Sequence, residues 1–195
     1  EARGYTRKRL EYRYYDKENQ MILLSRTDVT DAYMEEKEKQ DKLEDALEQA
    51  RTDALTGMLN RQGMEHEVKM CLDKDEKAAL LFVDLDNFKN VNDTMGHEVG
   101  DKMIFNFATI LREVIPSPNT ICRWGGDEFA VMMIKTDRKR IEDYLAQIDH
   151  AVAAYNNSGE IPSLSYAAGY ALSSEFPGLS YKELLARADE YMYEN

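Results

Sequence analysis

The sequence predicts an α+β fold, α/β-like, with a central mixed sheet surrounded by helices and preceded by a β-hairpin and a long linker helix. Three observations carry this expectation. Ala78–Val83 is a continuous apolar run of strand length, as a strand covered on both faces requires. Thr120–Trp124 and Glu128–Ile134 read as two strands around Gly125-Gly126-Asp127, a hairpin that makes the sheet mixed. The segments around them have helix length, with cap residues at their starts and prolines or glycines at their ends.

In chain order, Leu10–Tyr15 and Met21–Arg26 form a hairpin across the polar turn Asp16-Lys17-Glu18-Asn19. A lone hairpin is marginal in water, so it needs a partner, either a parent domain or a second protomer. Residues 31–50 are rich in Glu, Lys and Gln, lack Gly and Pro, and read as a helix capped by Thr30 or Asp31. Val29, Tyr33, Glu36, Gln40, Leu43, Leu47, Ala50 and Ala54 follow one another at spacings of four and three, the a/d period of a coiled coil. Glu36 and Gln40 are poor seam residues and suit a solvated linker helix equally. Asn60 caps a helix running to about Leu72, and after the apolar strand Asp86 or Asn87 opens a short helix ending near Gly96, with Asp86 the stronger cap. Glu98–Ile115 is a longer helix stopped by Pro116 and Pro118. Asp137–Tyr155 is helical, Ser163–Leu172 is a strand and Tyr181–Tyr193 is the closing helix.

Composition narrows the function. Of 195 residues 43% are apolar, close to the globular average, so a packed core is expected. Lys plus Arg is 25 against 37 for Asp plus Glu, a net charge of −12, which excludes a dedicated nucleic-acid or anionic-membrane binder. Polyphosphate substrates fit only with divalent cations between protein and ligand. Residues 1–15 are locally basic. Cys71 and Cys122 stand alone, without CxxC or neighbouring histidines, so two reduced thiols in the cytoplasm are expected and a zinc site is not. No apolar run approaches a membrane span, and a start at Glu1 without initiator methionine reads as a piece of a longer protein.

The chemistry gathers on a few acids. Asp84 follows the apolar strand, where open α/β sheets bind ligands, although a lone aspartate there also serves as a turn or cap residue. Gly125-Gly126 allows close approach of a ligand to the main chain, and Asp127 and Glu128 follow at the hairpin tip. Adjacent acids at an apex repel each other. A divalent cation shared with Asp84 removes that repulsion, and oxygen donors of this kind suit Mg²⁺ held together with substrate phosphates.

Four motifs then match a known family in order and spacing: Asp53-Ala-Leu-Thr-Gly-Met-Leu-Asn-Arg61, residues 82–101 from Phe82-Val-Asp-Leu-Asp through Gly-His-Glu-Val-Gly-Asp101, Arg123-Trp-Gly-Gly-Asp-Glu-Phe129, and Arg187-Ala-Asp-Glu-Tyr-Met-Tyr193. Over residues 53–195 the chain resembles the GGDEF diguanylate cyclases, bacterial enzymes that join two GTP into cyclic di-GMP and release pyrophosphate. The resemblance implies the palm fold of nucleotide cyclases. It implies metal binding by Asp84 and Asp127 through side chains and by Leu85 through its carbonyl, with Mg²⁺ as the cofactor and Mn²⁺ as an alternative. By the same resemblance Asp127 or Glu128 is expected to help deprotonate the attacking ribose 3′-hydroxyl, and Lys89 resembles the family's lysine near the phosphates. Asn92 and Asp101 correspond to the guanine-reading pair, and His97, Phe88, Gly125 and Gly126 border the nucleotide. Residues 1–30 resemble the end of a PAS sensor domain, and residues 31–52 a signalling helix that pairs two chains, so a homodimer with one GTP per subunit is implied. The expected location is the cytoplasm, with membrane contact only through a parent protein outside this chain.

Two departures stand out. Pro116 and Asn119 occupy the positions of the family's inhibitory Arg-x-x-Asp site, so product feedback there is not expected. The chain ends at Asn195, one residue before the lysine and arginine that in the family grip the terminal phosphates, so weakened nucleotide affinity is expected. The alternatives are a catalytically silent GTP-binding regulatory module and a fragment serving chiefly for dimerisation.

Overall fold

Residues 8–16, 18, 21–72 and 78–194 are described by the computed structural model, so the basic residues before Lys8, turn residues Lys17 and Asn19, and the Cys71 side chain lie outside the described residues. The chain divides into two units, residues 1–49 and 50–195.

In the first unit, β1 (Lys8–Asp16) and β2 (Met21–Asp28) pair antiparallel, from Lys8 opposite Asp28 to Asp16 opposite Met21, with a register shift between Tyr12 and Tyr14. The hairpin expected from the sequence is present and slightly longer at both ends. Helix α1 (Thr30–Arg51) begins with the Val29 carbonyl accepting from Tyr33 N–H at 2.9 Å, one residue before the expected caps. It buries none of its residues, and Tyr33, Met34, Leu43 and Leu47 are exposed. Exposed pairs one turn apart, such as Glu38–Lys42 at 2.7 Å, contribute only about 0.2–0.5 kcal/mol each, so helix propensity alone cannot explain so long an element.

The second unit is a five-stranded sheet in the order β3-β5-β6-β4-β7, formed by β3 (Leu59–Asn60), β4 (Ala78–Leu85), β5 (Thr120–Arg123), β6 (Glu128–Ile134) and β7 (Tyr166–Leu172). β4 lies between β6 and β7 and is buried along nearly its whole length, which is why its sequence from Ala78 to Val83 is an unbroken apolar run. The sheet is mixed, but not because of the central hairpin: β5, β6, β4 and β7 are all antiparallel, and the single parallel pair is β3 with β5. β3 has no counterpart among the expected elements. It is two residues long and is formed by pairing with Cys122 and Arg123, with a further bridge from Leu59 to Thr52.

Pleat alternation sends Leu81, Val83 and Leu85 of β4 to one face, where α4 (His97–Val114) and α5 (Arg138–Asn157) pack, and Leu80 and Phe82 to the other, under α2 (Arg61–Leu72) and α6 (Tyr181–Glu194). Phe107, Phe129, Leu81 and Leu111 are fully buried on the first face, each contributing roughly 1.5–3 kcal/mol. Asn60 caps α2 as expected, its Oδ1 accepting from Gly63 N–H at 3.0 Å. Asp137 caps α5 by accepting from Arg140 N–H at 2.9 Å. The cap of α3 (Phe88–Met95) differs from expectation. Asn87 stands at the cap in a left-handed conformation with no side-chain cap bond, and Asp86 instead accepts from Ser165 Oγ at 2.5 Å. A partner from the approach to β7 outcompetes the local cap.

Candidate active site

β4 and β6 carry the acids to one end of the sheet. The strand continues past Val83, so Asp84 lies inside β4, directly opposite Glu128. Both side chains continue the alternation of Phe82 and Ala130 and point to the α2/α6 face. Asp127 precedes Glu128, and its carbonyl accepts from Leu85 N–H at 3.2 Å, which ties the turn to the end of β4. The three carboxylates are half-buried, and no salt bridge reaches any of them among the described residues.

Their proton affinities register this uncompensated charge. Burial, followed by the negative charges of Asp127, Glu128, Asp86 and Asp189, pushes Asp84 from the ordinary 3.8 up to about 6. Glu128 moves up as well, through burial, Asp127 and Asp189, against a smaller opposing pull from Arg61. Asp189 of α6 and Arg61 of α2 thus act on the site from the covering helices. They share a cavity of about 270 Å³ with Glu128, Phe82, Trp124 and Lys182. Arg61 is steadied there by the face of Trp124, with its guanidinium 4.6 Å from the ring centroid.

The hairpin is held by one arginine. Arg123 Nε donates to the carbonyls of Gly125 and Gly126 at 3.1 Å each, Nη2 donates to Gly126 at 2.8 Å, and Nη1 reaches the Asp53 carboxylate at 3.1 and 3.3 Å. Asp53 also accepts from Thr56 N–H at 2.8 Å and Thr56 Oγ1 at 2.7 Å. Burial works to raise its pKa, but the Thr56 bonds and Arg123 together hold it below the ordinary 3.8.

A second group lies on α3 and α4, joined by Gly96 at φ 89°. Asn92 and Phe88 of α3 lie against Gly100 of α4, the neighbour of Asp101. Asn92 is half-buried and Asp101 exposed. The expected site residues therefore fall into two sets: Asp84, Leu85, Gly125, Gly126, Asp127 and Glu128 at the hairpin, and Phe88 and Asn92 beside the helix of Asp101. The side chains of Lys89, exposed on the first turn of α3, and His97, exposed at the start of α4, make no hydrogen bond or ion pair among the described residues. Sequence reasoning missed the roles of Asp53, Arg61, Arg123, Asp189 and Gly100, although all five stand inside the four motifs.

The donors fit a hard divalent cation. Asp84 and Glu128 carry raised proton affinities next to Asp127, and carboxylate oxygens of this kind suit a hard cation held together with substrate phosphates, although no three His, Cys, Asp or Glu side chains are grouped into a ready-made metal cage among the described residues.

Comparison with known proteins gives the family and the fold. The family model for "Diguanylate cyclase, GGDEF domain" matches residues 50–195. The response regulator PleD of Caulobacter vibrioides is 32% identical over 161 residues, covering 78% of this chain and 35% of that protein. The diguanylate cyclase DgcP of Pseudomonas aeruginosa is 32% identical over 157 residues, covering 77% of this chain and 23% of that protein. Among solved structures, the coiled coil and GGDEF domain of DgcB from Caulobacter crescentus, in complex with c-di-GMP, superposes with TM-score 0.74 at 26% identity, covering 85% of this chain and 90% of that one. The chain spans about a third or less of the length of these two curated relatives.

Proposed function

This chain belongs to the GGDEF-domain family of diguanylate cyclases, and from that premise we propose that it condenses two GTP into cyclic di-GMP with release of pyrophosphate, as a Mg²⁺-dependent dimer. The observation that carries the reading is the meeting of Asp84, Asp127 and Glu128 at the hairpin with no salt bridge to any of them among the described residues. Asp84 and Asp127 would hold the metal with the Leu85 carbonyl. A bound divalent ion lowers the pKa of an attacking hydroxyl and offsets charge on the leaving oxygen. Glu128, whose proton affinity is raised, is suited to take the proton of the ribose 3′-hydroxyl at a carboxylate oxygen while the hydroxyl oxygen bonds to the α-phosphorus of the other GTP and the bond to pyrophosphate breaks. Gly125 and Gly126 keep the turn free of side chains, and Arg123 holds its carbonyls turned away from incoming phosphate. Lys89, exposed and unpaired among the described residues, is available to the phosphates.

On the second group of residues, Asp101 accepts from guanine N1–H and the N2 amino group, and Asn92 adds a complementary amide. Adenine presents neither donor, so the carboxylate would face a lone pair, and a site built to hydrogen-bond rejects such an analogue strongly. His97 and Phe88 border the nucleotide. One domain holds one GTP, so two must face each other. The exposed Leu43 and Leu47 of α1 supply a seam for a parallel pair, which provides proximity as effective concentration. The residues before α1 act as the end of a PAS-type sensor in a cytoplasmic setting.

The decisive experiment incubates the protein with equal GTP and ATP and Mg²⁺ and resolves the products by mass spectrometry. Cyclic di-GMP as the main dinucleotide is expected from the unmodified protein, and none from Asp127→Asn. Absence of any dinucleotide alongside tight GTP binding would establish the silent-module alternative. Removing residues 1–50 should lower specific activity steeply at dilute protein and much less at high concentration.

A further inference from the structure

Gly100 is buried inside α4, one residue before Asp101. A helix interior favours alanine over glycine, because glycine surrenders more backbone freedom on folding. The reason for a glycine must therefore lie in what a methyl group would strike. At Gly63 a Cβ would run into the Arg51 carbonyl, and at Gly169 into the main chain of Ala188 and Met192, so both glycines serve the approach of one backbone to another. Gly100 differs. A Cβ there would overlap the side-chain oxygen of Asn92, lie 2.9 Å from its Cγ and 3.1 Å from Cε2 of Phe88. What it would displace is the end of the Asn92 side chain, while the Phe88 ring need give by only a few tenths of an ångström; both belong to α3 and to the proposed base site.

We infer that Gly100 is a positioning residue for base recognition: by carrying no side chain it lets the Asn92 amide lie against α4 beside Asp101, so that amide and carboxylate address one guanine. This rests on reading Asn92 and Asp101 as the base-contacting pair. In Gly100→Ala the Asn92 side chain rotates away, which a flexible side chain does at little cost, while the helix gains a better helix former. Fold stability and base recognition then move in opposite directions. A glycine kept for packing predicts that both fall together.

The test measures GDP and ADP binding by titration calorimetry, with Mg²⁺ present, for the unmodified chain, Gly100→Ala, Asn92→Ala and the double variant, and records the melting temperature of each. Gly100→Ala should keep or raise the melting temperature, weaken GDP about ten-fold, the order of one uncharged hydrogen bond, and leave ADP unchanged. With Asn92→Ala already in place, adding Gly100→Ala should cost nothing further, because the two changes act through one side chain. If Asn92→Ala weakens GDP while Gly100→Ala does not, the inference is overturned and the base reading stands. A loss from Gly100→Ala that persists undiminished in the Asn92→Ala background, or a melting temperature several degrees lower, also overturns it. If Asn92→Ala itself leaves GDP binding unchanged, the base reading fails first and the inference with it.

Discussion

Asp53 and Asp84 both border the Gly125–Gly126 hairpin and both are partly withdrawn from water, yet the fold treats their charges in opposite ways. Asp53 receives two hydrogen bonds from Thr56 and a two-pronged contact from Arg123, and is held ionised below the ordinary range. Asp84 receives no cation and sits among four other acids, which with burial raise it to about 6. A carboxylate whose task is structural is given its partners by the protein. On the proposed reading, Asp84 is left to find its counter-charge in a ligand, at a standing cost to the unliganded fold. The same contrast separates Arg123, spent on loop carbonyls and Asp53, from Lys89, left exposed and unpaired among the described residues.

The largest expected effect breaks the comparison on the Asp84 side. Asp84→Asn should lower cyclisation by about 10²–10³-fold or more, the scale of losing an electrostatic stabiliser of the transition state. It should also raise the melting temperature in metal-free buffer at neutral pH, because a repelled charge has been removed. Solvent screening of this half-exposed group keeps that gain to about 1 kcal/mol or less. Thermal melts with EDTA, set beside product yield with Mg²⁺, check both halves. Loss of activity together with loss of stability would mean that Asp84 is structural.

Asp53→Ala should do the reverse in order of severity. It leaves the Arg123 guanidinium half-buried with one partner fewer and Thr56 without its acceptor, costing about 1–3 kcal/mol. For a domain of this size that lowers the melting temperature by about 2–10 °C. Activity should fall as well, since Arg123 alone must then hold the turn, but less than for Asp84→Asn. Arg123→Lys should reproduce most of this loss, because an ammonium cannot reach Asp53 and two glycine carbonyls at once. The double variant should be no worse than the poorer single one, as expected for partners in one network.

What was legible in the sequence, and what was not, follows the same division. Ala78–Val83 announced itself because β4 is covered on both faces, though the strand runs on to Leu85, and Gly125–Glu128 because a tight turn and adjacent acids leave local marks. Leu59–Asn60 left none, since two residues become a strand by meeting Cys122 and Arg123 some sixty positions on. Asp86 has every local property of a cap, and it was misread because Ser165 reaches it from the approach to β7. Asp189 faces the site only because Gly169 lets α6 settle on β7, a contact written in neither segment alone. Local propensity thus located the acids, and non-local packing decided which of them were compensated.

The smallest effect is also the sharpest test of the contrast, because it concerns sign. In metal-free buffer Asp84 binds its proton more tightly folded than unfolded, about 6 against 3.8, so between those values the unfolded chain releases a proton that the folded chain keeps. Stability contributed by this group therefore falls as pH rises through that window and is level above it. The melting temperature of Asp84→Asn minus that of the unmodified protein should be near zero at acid pH, grow through the window and plateau above it. Asp53 has the opposite sign. Its folded affinity for the proton is lowered, so its contribution is present above the ordinary 3.8 and lost as pH falls through the folded value. The advantage of the unmodified protein over Asp53→Ala should accordingly shrink only on the acid side of that point. Taken in the same sense, variant minus unmodified protein, and measured by calorimetry across this range, two difference curves sloping in opposite directions, rising with pH for Asp84→Asn and falling with pH for Asp53→Ala, are the expected result, and curves of the same slope would show that the two aspartates are not treated differently at all. Mg²⁺ with GDP should flatten the Asp84 curve while leaving the Asp53 curve where it was, since only the former lacks a partner of its own.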